Sequence, residues 1–293
     1  GREDEIPFGI GMRLRELRRR CRETLVLAGA ARPEYSADLI ISRRLGIGRA
    51  ELLYKDDEIP AQSCEGIFAA AARRAQGVPL AYVLHEAEFY GYRFKVGRGV
   101  LIPRPETELL VEAALEYFPR GRGARFADWC TGSGCIALSL LLENGALTGL
   151  GIDKSPQALR WAAINRKFHH LEDRLALLRN AEPSEAAIDG ESLDFIISNP
   201  PYIPEGEMAG LMPEVRDYEP HMALNGGAGG LALYKKFFRS FPGFLKPGGL
   251  LLLETAGSSQ ICALEGLVSS EFVLMNKILD YNGIIRHIIW RKR

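Results

Sequence analysis

Strand-like and helix-like segments alternate along the second half of the chain, and no other feature of the sequence limits the fold as strongly. Short apolar runs such as 147–152 and 193–198 are typical of buried strands, and the longer run 156–168 is typical of a helix between strands. Such alternation predicts a parallel sheet with helices on both faces. The last segments differ, because a turn at 281–283 between two apolar runs indicates an antiparallel hairpin at the sheet edge.

The first part of the chain follows another pattern. From Met12 to about residue 77, apolar residues recur at helical spacing, and glycine and proline divide the pattern into short pieces. Residues 88–97 then alternate aromatic and polar side chains around Gly91, which predicts a hairpin. We therefore expect three parts. They are a helical N-terminal domain over 1–85, a hairpin linker over 86–100 and an α/β domain over 101–293.

Charge and cysteine content argue against several classes of protein. Lys and Arg number 37, as do Asp and Glu, and this balance argues against a protein that binds nucleic acid mainly by neutralising phosphates. The Arg-rich stretch 13–22 carries leucines at core spacing and predicts a solvated helix face. The five scattered cysteines predict neither a disulfide framework nor a zinc site, and no apolar run approaches the roughly 20 residues of a membrane span. We expect a cytoplasmic monomer with no metal, no stably bound nucleic acid and no membrane association.

A glycine turn between a strand and a helix indicates a ligand site. In "ADWCTGSGCIAL", residues 127–138, Gly132 and Gly134 allow a ligand to approach the backbone where the helix begins. The next strand ends at Asp153, whose carboxylate can accept hydrogen bonds from both hydroxyls of a ribose. This combination predicts an adenosine-containing ligand, and at this point both NAD and S-adenosylmethionine remain open.

The stretch "SNPPYIP", residues 198–204, follows a predicted buried strand and is expected to face the same crevice, beyond the carboxyl ends of the strands. Its two adjacent prolines hold the backbone extended and remove two N–H donors. The side-chain oxygen of Asn199 and the carbonyl oxygen of Pro200 therefore form a pair of acceptors that suits an –NH2 group. Tyr202 adds a flat face that can pack on a planar amide or base.

Together these motifs resemble the Rossmann-like, class I S-adenosylmethionine-dependent methyltransferases, and most closely the PrmC/HemK family of protein-(glutamine-N5) methyltransferases. "NPPY" and "CTGSG" also resemble other amino-methylating enzymes, whereas "IPRPETE" (102–108) and "EPHMALNGG" (219–227) are more particular to this family. The resemblance covers nearly the whole chain. It implies a seven-stranded, mostly parallel sheet with an antiparallel C-terminal hairpin, preceded by a small helical domain that recognises the substrate.

The resemblance also implies roles for individual residues. The implied catalytic residues are Asn199, Pro200 and Tyr202. The implied binding residues for S-adenosyl-L-methionine are Asp128, Thr131, Gly132, Ser133, Gly134, Asp153, Asn180, Ala181 and Asn199. The implied substrate-binding residues are Asn199, Pro200, Pro201, Tyr202, Pro103 and Arg104. Asn180 or Ala181 stands where the family usually has an acidic residue on the adenine side, and Glu254 matches a family acid.

The activity implied by the resemblance is methyl transfer to N5 of the glutamine in the Gly-Gly-Gln (GGQ) motif of class I peptide chain release factors. Three alternatives stay open at the level of sequence. They are methylation of a ribosomal-protein glutamine, methylation of an adenine or guanine amino group in nucleic acid, and a non-catalytic binding module that keeps the fold. The zero formal charge weighs against nucleic acid, and the missing acid near Asn180 motivates the non-catalytic alternative.

Overall fold

The computed structural model describes residues 11–293, which divide into two compact units. The small unit extends from the first described residues to His85 and also includes Pro213–Tyr218. The large unit contains Glu86–Met212 and Glu219–Arg293. None of the helices in the described part of the chain is both long enough and apolar enough to span a membrane.

Helices around one apolar core form the small unit. Its elements are β1 (Met12–Arg13), α1 (Leu14–Leu27), α2 (Pro33–Leu45), β2 (Glu58–Ile59), α3 (Ala61–Ala75) and α4 (Leu80–Leu84). The short antiparallel pair β1–β2 was missed by the helical prediction for this part of the chain, because a two-residue strand has no recognisable period. Arg18 and Arg22, on α1, both form ion pairs with the carboxylate of Asp38, on α2. Part of the positive charge of the Arg-rich stretch is therefore neutralised within the unit.

The segment Pro213–Tyr218 supplies the small unit with a charged partner. Arg74, near the end of α3, has a side chain that is only 3% exposed, and it forms an ion pair with Glu214 at 2.7 Å. Its guanidinium also donates hydrogen bonds to the carbonyl oxygens of Val78 and Ala31. Because a buried cation is stable only when paired and hydrogen-bonded, Glu214 is part of the structure of this unit.

The large unit begins with a hairpin and continues as alternating strands and helices. The hairpin and the first helix are β3 (Glu86–Phe89), β4 (Tyr92–Lys95) and α5 (Glu108–Tyr117). The strands that follow are β5 (Ala124–Trp129), β6 (Leu147–Asp153), β7 (Leu175–Arg179), β8 (Leu193–Ser198), β9 (Leu245–Glu254), β10 (Phe272–Leu279) and β11 (Ile285–Lys292). The helices between them are α6 (Cys135–Glu143), α7 (Pro156–Phe168), α8 (Pro213–Arg216, in the small unit), α9 (His221–Leu224), α10 (Ala232–Phe244) and α11 (Ser258–Glu265).

The seven strands form one sheet in the order β10-β11-β9-β8-β5-β6-β7. Strands β5 to β9 are parallel, whereas β11 runs antiparallel to both β9 and β10, so the predicted fold class is confirmed. The strand order reverses at β5, which pairs with β6 on one side and β8 on the other. In sheets of this kind, a crevice opens at the carboxyl ends of the strands where the order reverses.

The central strand β8 is fixed from both faces of the sheet. Phe195 and Ile197 belong to one apolar core, and Ile196 belongs to the core on the opposite face. Phe195 also stacks on Phe126 of β5, with ring centroids 4.9 Å apart. Close packing on both faces fixes the end of β8, and so fixes the position of the residues that follow it.

Candidate active site

A cavity opens at the carboxyl ends of β5, β6 and β8, within the large unit. The empty space between its walls is about 1030 Å³, which includes space open to solvent. The residues from the sequence analysis that line it are Thr131, Gly132, Ser133, Asp153, Asn180, Ala181, Asn199, Pro201, Pro103 and Arg104. The others, Asp128, Gly134, Pro200 and Tyr202, are not part of its lining.

The glycine turn after β5 forms one wall of this cavity. Gly132 and Gly134 have φ values of 57° and 80°, the left-handed region that favours glycine. At Gly134 a side chain would also press on α6, because a Cβ there would lie 3.1 Å from Leu138. The turn thereby places the beginning of α6, at Cys135, against the cavity, where backbone N–H groups favour an anionic ligand group.

Asp153 joins the glycine turn to the start of α7. Its Oδ2 accepts a hydrogen bond from the Gly132 N–H at 3.0 Å, and its Oδ1 accepts one from the Ser155 N–H at 2.9 Å. The helix cap is Ser155, whose hydroxyl oxygen accepts a hydrogen bond from the Ala158 N–H, so Asp153 does not cap α7. Burial raises the pKa of Asp153, although the two backbone N–H groups oppose that rise. Each oxygen retains a lone pair that can accept a ligand hydroxyl.

Asp128 supports the same turn from behind the cavity wall. It is fully buried, and its Oδ2 accepts hydrogen bonds from the Thr131 hydroxyl at 2.7 Å and the Ala137 N–H at 3.2 Å. Its Oδ1 has no hydrogen-bond partner within residues 11–293. Burial raises the pKa of Asp128 to about 7, even though Thr131 and Ala137 lower it.

This raised pKa predicts a particular pH dependence of stability. Between about pH 4 and pH 7 the folded protein keeps a proton on Asp128 that the unfolded chain has lost, so the free energy of unfolding falls as the pH rises. The rise from 3.8 to about 7 corresponds to a change on the order of 4 kcal/mol. We expect Asp128→Asn to remove this component, as measured by denaturant unfolding at pH 4 and pH 8. The exposed Asp189→Asn is the control that keeps the wild-type dependence, and an unchanged slope in Asp128→Asn would contradict the prediction.

Two acceptor atoms lie just beyond the end of β8. The Asn199 amide lines the cavity, and its Nδ2 donates a hydrogen bond to Thr107 Oγ1 at 3.1 Å. Within residues 11–293, no hydrogen bond reaches Asn199 Oδ1 or the carbonyl oxygen of Pro200. Pro200 and Pro201 are both buried, so the backbone that carries these acceptors is packed in place.

The hydroxyl of Tyr202 is bound to a buried carboxylate. Its hydroxyl donates a hydrogen bond to Glu254 Oε1 at 3.3 Å, and burial together with the Glu254 carboxylate raises the pKa of Tyr202. The phenol therefore stays protonated and acts as a donor. Packing of its ring on a substrate amide stays a prediction.

Two residues outside the predicted site support the loop 199–203, which follows β8 and is called the acceptor loop because it carries Asn199 and Pro200. Gln260, on α11, donates hydrogen bonds from its Nε2 to the carbonyl oxygens of Tyr202 and Gly230, both at 3.1 Å. The Gly226 N–H donates to the Ile203 carbonyl oxygen at 2.8 Å. Gln260 lies 58 positions from Tyr202 on a helix that the sequence did not predict, so only the fold brings the two together.

The carboxylate of Glu219 connects the segments 102–108 and 219–227, the two motifs that are more particular to the PrmC/HemK family. Glu219 is buried, and its Oε1 accepts a hydrogen bond from Arg104 at 2.5 Å while its Oε2 accepts one from the Ile102 N–H at 3.0 Å. Arg104 and Pro103 are thereby held at the cavity wall, where the sequence analysis placed them as substrate contacts. That substrate role stays a prediction.

Comparison with known proteins gives two family matches. Residues 16–84 match the family described as PrmC N-terminal domain, and residues 105–212 match the family described as methyltransferase small domain. The second match includes the glycine turn, Asp153 and Asn199, whereas the first lies within the small unit.

Relatives match most of the chain. The release factor glutamine methyltransferase of Nitratidesulfovibrio vulgaris is 42% identical over 242 residues, which cover 82% of this chain and 81% of the relative. The protein of the same name from Cereibacter sphaeroides is 41% identical over 262 residues, covering 88% and 91%. Among solved structures, a methyltransferase from Pyrococcus furiosus has a TM-score of 0.52 at 16% identity, covering 70% of this chain and 90% of the other, which shows a shared fold.

Proposed function

Because the chain belongs to the family of release factor glutamine methyltransferases, it is an S-adenosylmethionine-dependent methyltransferase, and we propose that it methylates N5 of the glutamine in the GGQ motif of class I release factors. The observation that carries this proposal is the pair of acceptors on Asn199 and Pro200 that receive no hydrogen bond within the described residues, beside the cavity at the carboxyl ends of the strands. A primary amide presents two N–H donors, which this pair can accept. A substrate from translation termination also agrees with the cytoplasmic location expected from the sequence.

The polar atoms around the cavity fit S-adenosylmethionine. Ser133 Oγ and Asn180 Oδ1, on two residues that line the cavity, are buried and lack hydrogen-bond partners within the described residues. An unsatisfied buried polar atom costs about 1–3 kcal/mol, so a ligand with its own polar groups would be favoured there. Asp153 would accept hydrogen bonds from the ribose, the glycine turn would bind the methionine part, and Asn180 would face the adenine side. Asn180 thereby keeps an acceptor where the family usually has an acid.

The chemical task of the protein residues is to aim a weak nucleophile. The bound cofactor supplies an electrophilic methyl group, whereas the lone pair of a glutamine amide is delocalised into its carbonyl group. Hydrogen bonds from both N–H groups to Asn199 Oδ1 and the Pro200 carbonyl oxygen would orient the nitrogen and stabilise the positive charge that grows on it. The nitrogen would afterwards lose one proton to solvent. No strong protein base is required in this scheme.

A labelling experiment tests the proposed substrate. We expect the protein and methyl-labelled S-adenosylmethionine to label a class I release factor on its GGQ glutamine, and to leave a release factor with alanine at that glutamine unlabelled. Ribosomal protein and total nucleic acid, offered separately, test the two alternative substrates. Label on either of these but not on the release factor would overturn the proposal, as would label on the alanine variant. An absence of label on every substrate would favour the non-catalytic alternative.

A further inference from the structure

A chain of hydrogen bonds extends from Asn199 to a buried glutamate behind the site. Asn199 Nδ2 donates to Thr107 Oγ1 at 3.1 Å, and the Thr107 hydroxyl donates to Glu254 Oε2 at 2.6 Å. Thr107 is 2% exposed and Glu254 is 1% exposed. Glu254 does not line the cavity, so any influence it has on a substrate must pass through other residues.

The carboxylate at the end of this chain is held as an acceptor. The Tyr202 hydroxyl donates to Glu254 Oε1, and the Thr107 hydroxyl donates to Oε2, so each carboxylate oxygen accepts a hydrogen bond. The Tyr234 hydroxyl binds the backbone carbonyl of Glu254. His287 is paired with Glu254 across β11 and β9, with its Nε2 3.5 Å from Oε2, which places a basic ring beside the buried carboxylate.

The direction of the hydrogen bonds between Asn199, Thr107 and Glu254 fixes the orientation of the Asn199 amide. A threonine hydroxyl has one proton, and that of Thr107 is used in the 2.6 Å bond to Glu254. Thr107 Oγ1 can therefore only accept a hydrogen bond from Asn199, so the –NH2 group of Asn199 must face it. The side-chain oxygen, Oδ1, is then directed away from Thr107 as the free acceptor.

Thr107 does not serve the structural purpose most often found at its position. It occupies the N-cap position of α5, where a threonine hydroxyl commonly accepts a hydrogen bond from the helix backbone, yet it makes no side-chain cap. Its hydroxyl is instead directed between Glu254 and Asn199. This difference favours a role in the site over a role in starting the helix.

We propose that Thr107 and Glu254 are positioning residues that fix the Asn199 amide with its oxygen toward the substrate nitrogen. The inference rests on the proposed function, since it assigns the acceptor atom for the substrate amide. With the opposite orientation, Asn199 would present an –NH2 group to the –NH2 group of the glutamine, and two donors cannot pair. Glu254 thereby sets the polarity of the acceptor site without touching the substrate.

Two substitutions at Thr107 separate the hydroxyl from the shape of the side chain. Thr107→Val keeps the volume and removes the hydroxyl, so kcat for release factor methylation should fall on the order of 30-fold or more. The KM for the release factor and the Kd for S-adenosylmethionine should stay within about threefold of wild type, because those contacts remain. Thr107→Ser retains the hydroxyl and should recover most of the lost turnover.

Glu254→Gln provides a second measurement that does not depend on the fold of the valine variant. The new amide can donate to Thr107 and reverse the order of donors, so kcat should fall about tenfold or more at similar KM. A kcat for Thr107→Val or Glu254→Gln within threefold of wild type would overturn the inference, as would equal losses in Thr107→Val and Thr107→Ser. If wild-type protein fails to methylate the release factor, the proposed function fails instead, before any variant is compared.

Discussion

Replacing Asn199 with alanine should reduce methyl transfer to the release factor by about 10²–10³-fold or more, with little change in cofactor affinity. The substitution removes the Asn199 side-chain oxygen, which receives no hydrogen bond within the described residues. The Pro200 carbonyl oxygen would then face the substrate amide alone, and the amide nitrogen would lose its fixed direction. Since this contact strengthens as positive charge grows on the nitrogen, the loss should appear mainly in kcat.

Single-turnover methylation and calorimetric titration of S-adenosylmethionine measure these two quantities separately. Asn276→Ala is a suitable control, because Asn276 is exposed on the edge strand β10 and should leave both quantities unchanged. Full activity in Asn199→Ala would refute the acceptor role. A large loss of cofactor affinity would instead indicate that Asn199 serves mainly as a cofactor contact.

The second large effect is expected at Gly230, which packs behind the acceptor loop. Gly230 has a φ of 71°, and a Cβ added there would overlap the carbonyl oxygen of Tyr202 and lie 2.6 Å from Gln260 Nε2. Gly230→Ala must therefore displace the loop that carries Asn199 and Pro200. A shift of about 1 Å at a catalytic group can cost about 10²-fold in rate, so we expect a loss of at least that size in kcat.

Gly229 provides a matched control for this substitution. Its φ of 63° imposes a similar left-handed penalty of about 1–2 kcal/mol on alanine, but an added Cβ would meet only the Leu231 side chain, at 3.8 Å. Gly229→Ala should therefore be somewhat less stable than wild type and retain its turnover. Comparable kcat values in the two variants would show that the packing of Gly230 does not position the acceptor loop.

The sequence predicted the central elements well because their signals are local. The structure places α7 and β8 at the predicted bounds, since a buried parallel strand is a continuous apolar run and α7 begins at a proline. The prediction missed β1–β2 and α11, which depend on contacts between distant segments or are short and weakly patterned. It also placed residues 213–218 in the α/β domain, whereas Pro213–Tyr218 belongs to the small unit.

The candidate site shows the same division between local and distant information. The glycine turn and Asp153 were predicted to share one site, and they are joined by the hydrogen bond between Gly132 and Asp153. The hydrogen bond from Thr107 to Glu254 spans 147 positions, so no spacing rule could reveal it. Glu254 was recognised only as a residue that matches a family acid, and its surroundings became visible once β9 and the start of α5 were placed.

The discontinuous small unit has an evolutionary consequence. Its buried Arg74 is neutralised by Glu214, a residue encoded about 140 codons later, after most of the parallel strands of the large unit. A gene fusion with a single junction would separate Arg74 from Glu214. Moving this unit to another enzyme, or replacing it with a different one, in a single fusion would therefore leave a buried charge unpaired. Inheritance should favour the two units as one piece.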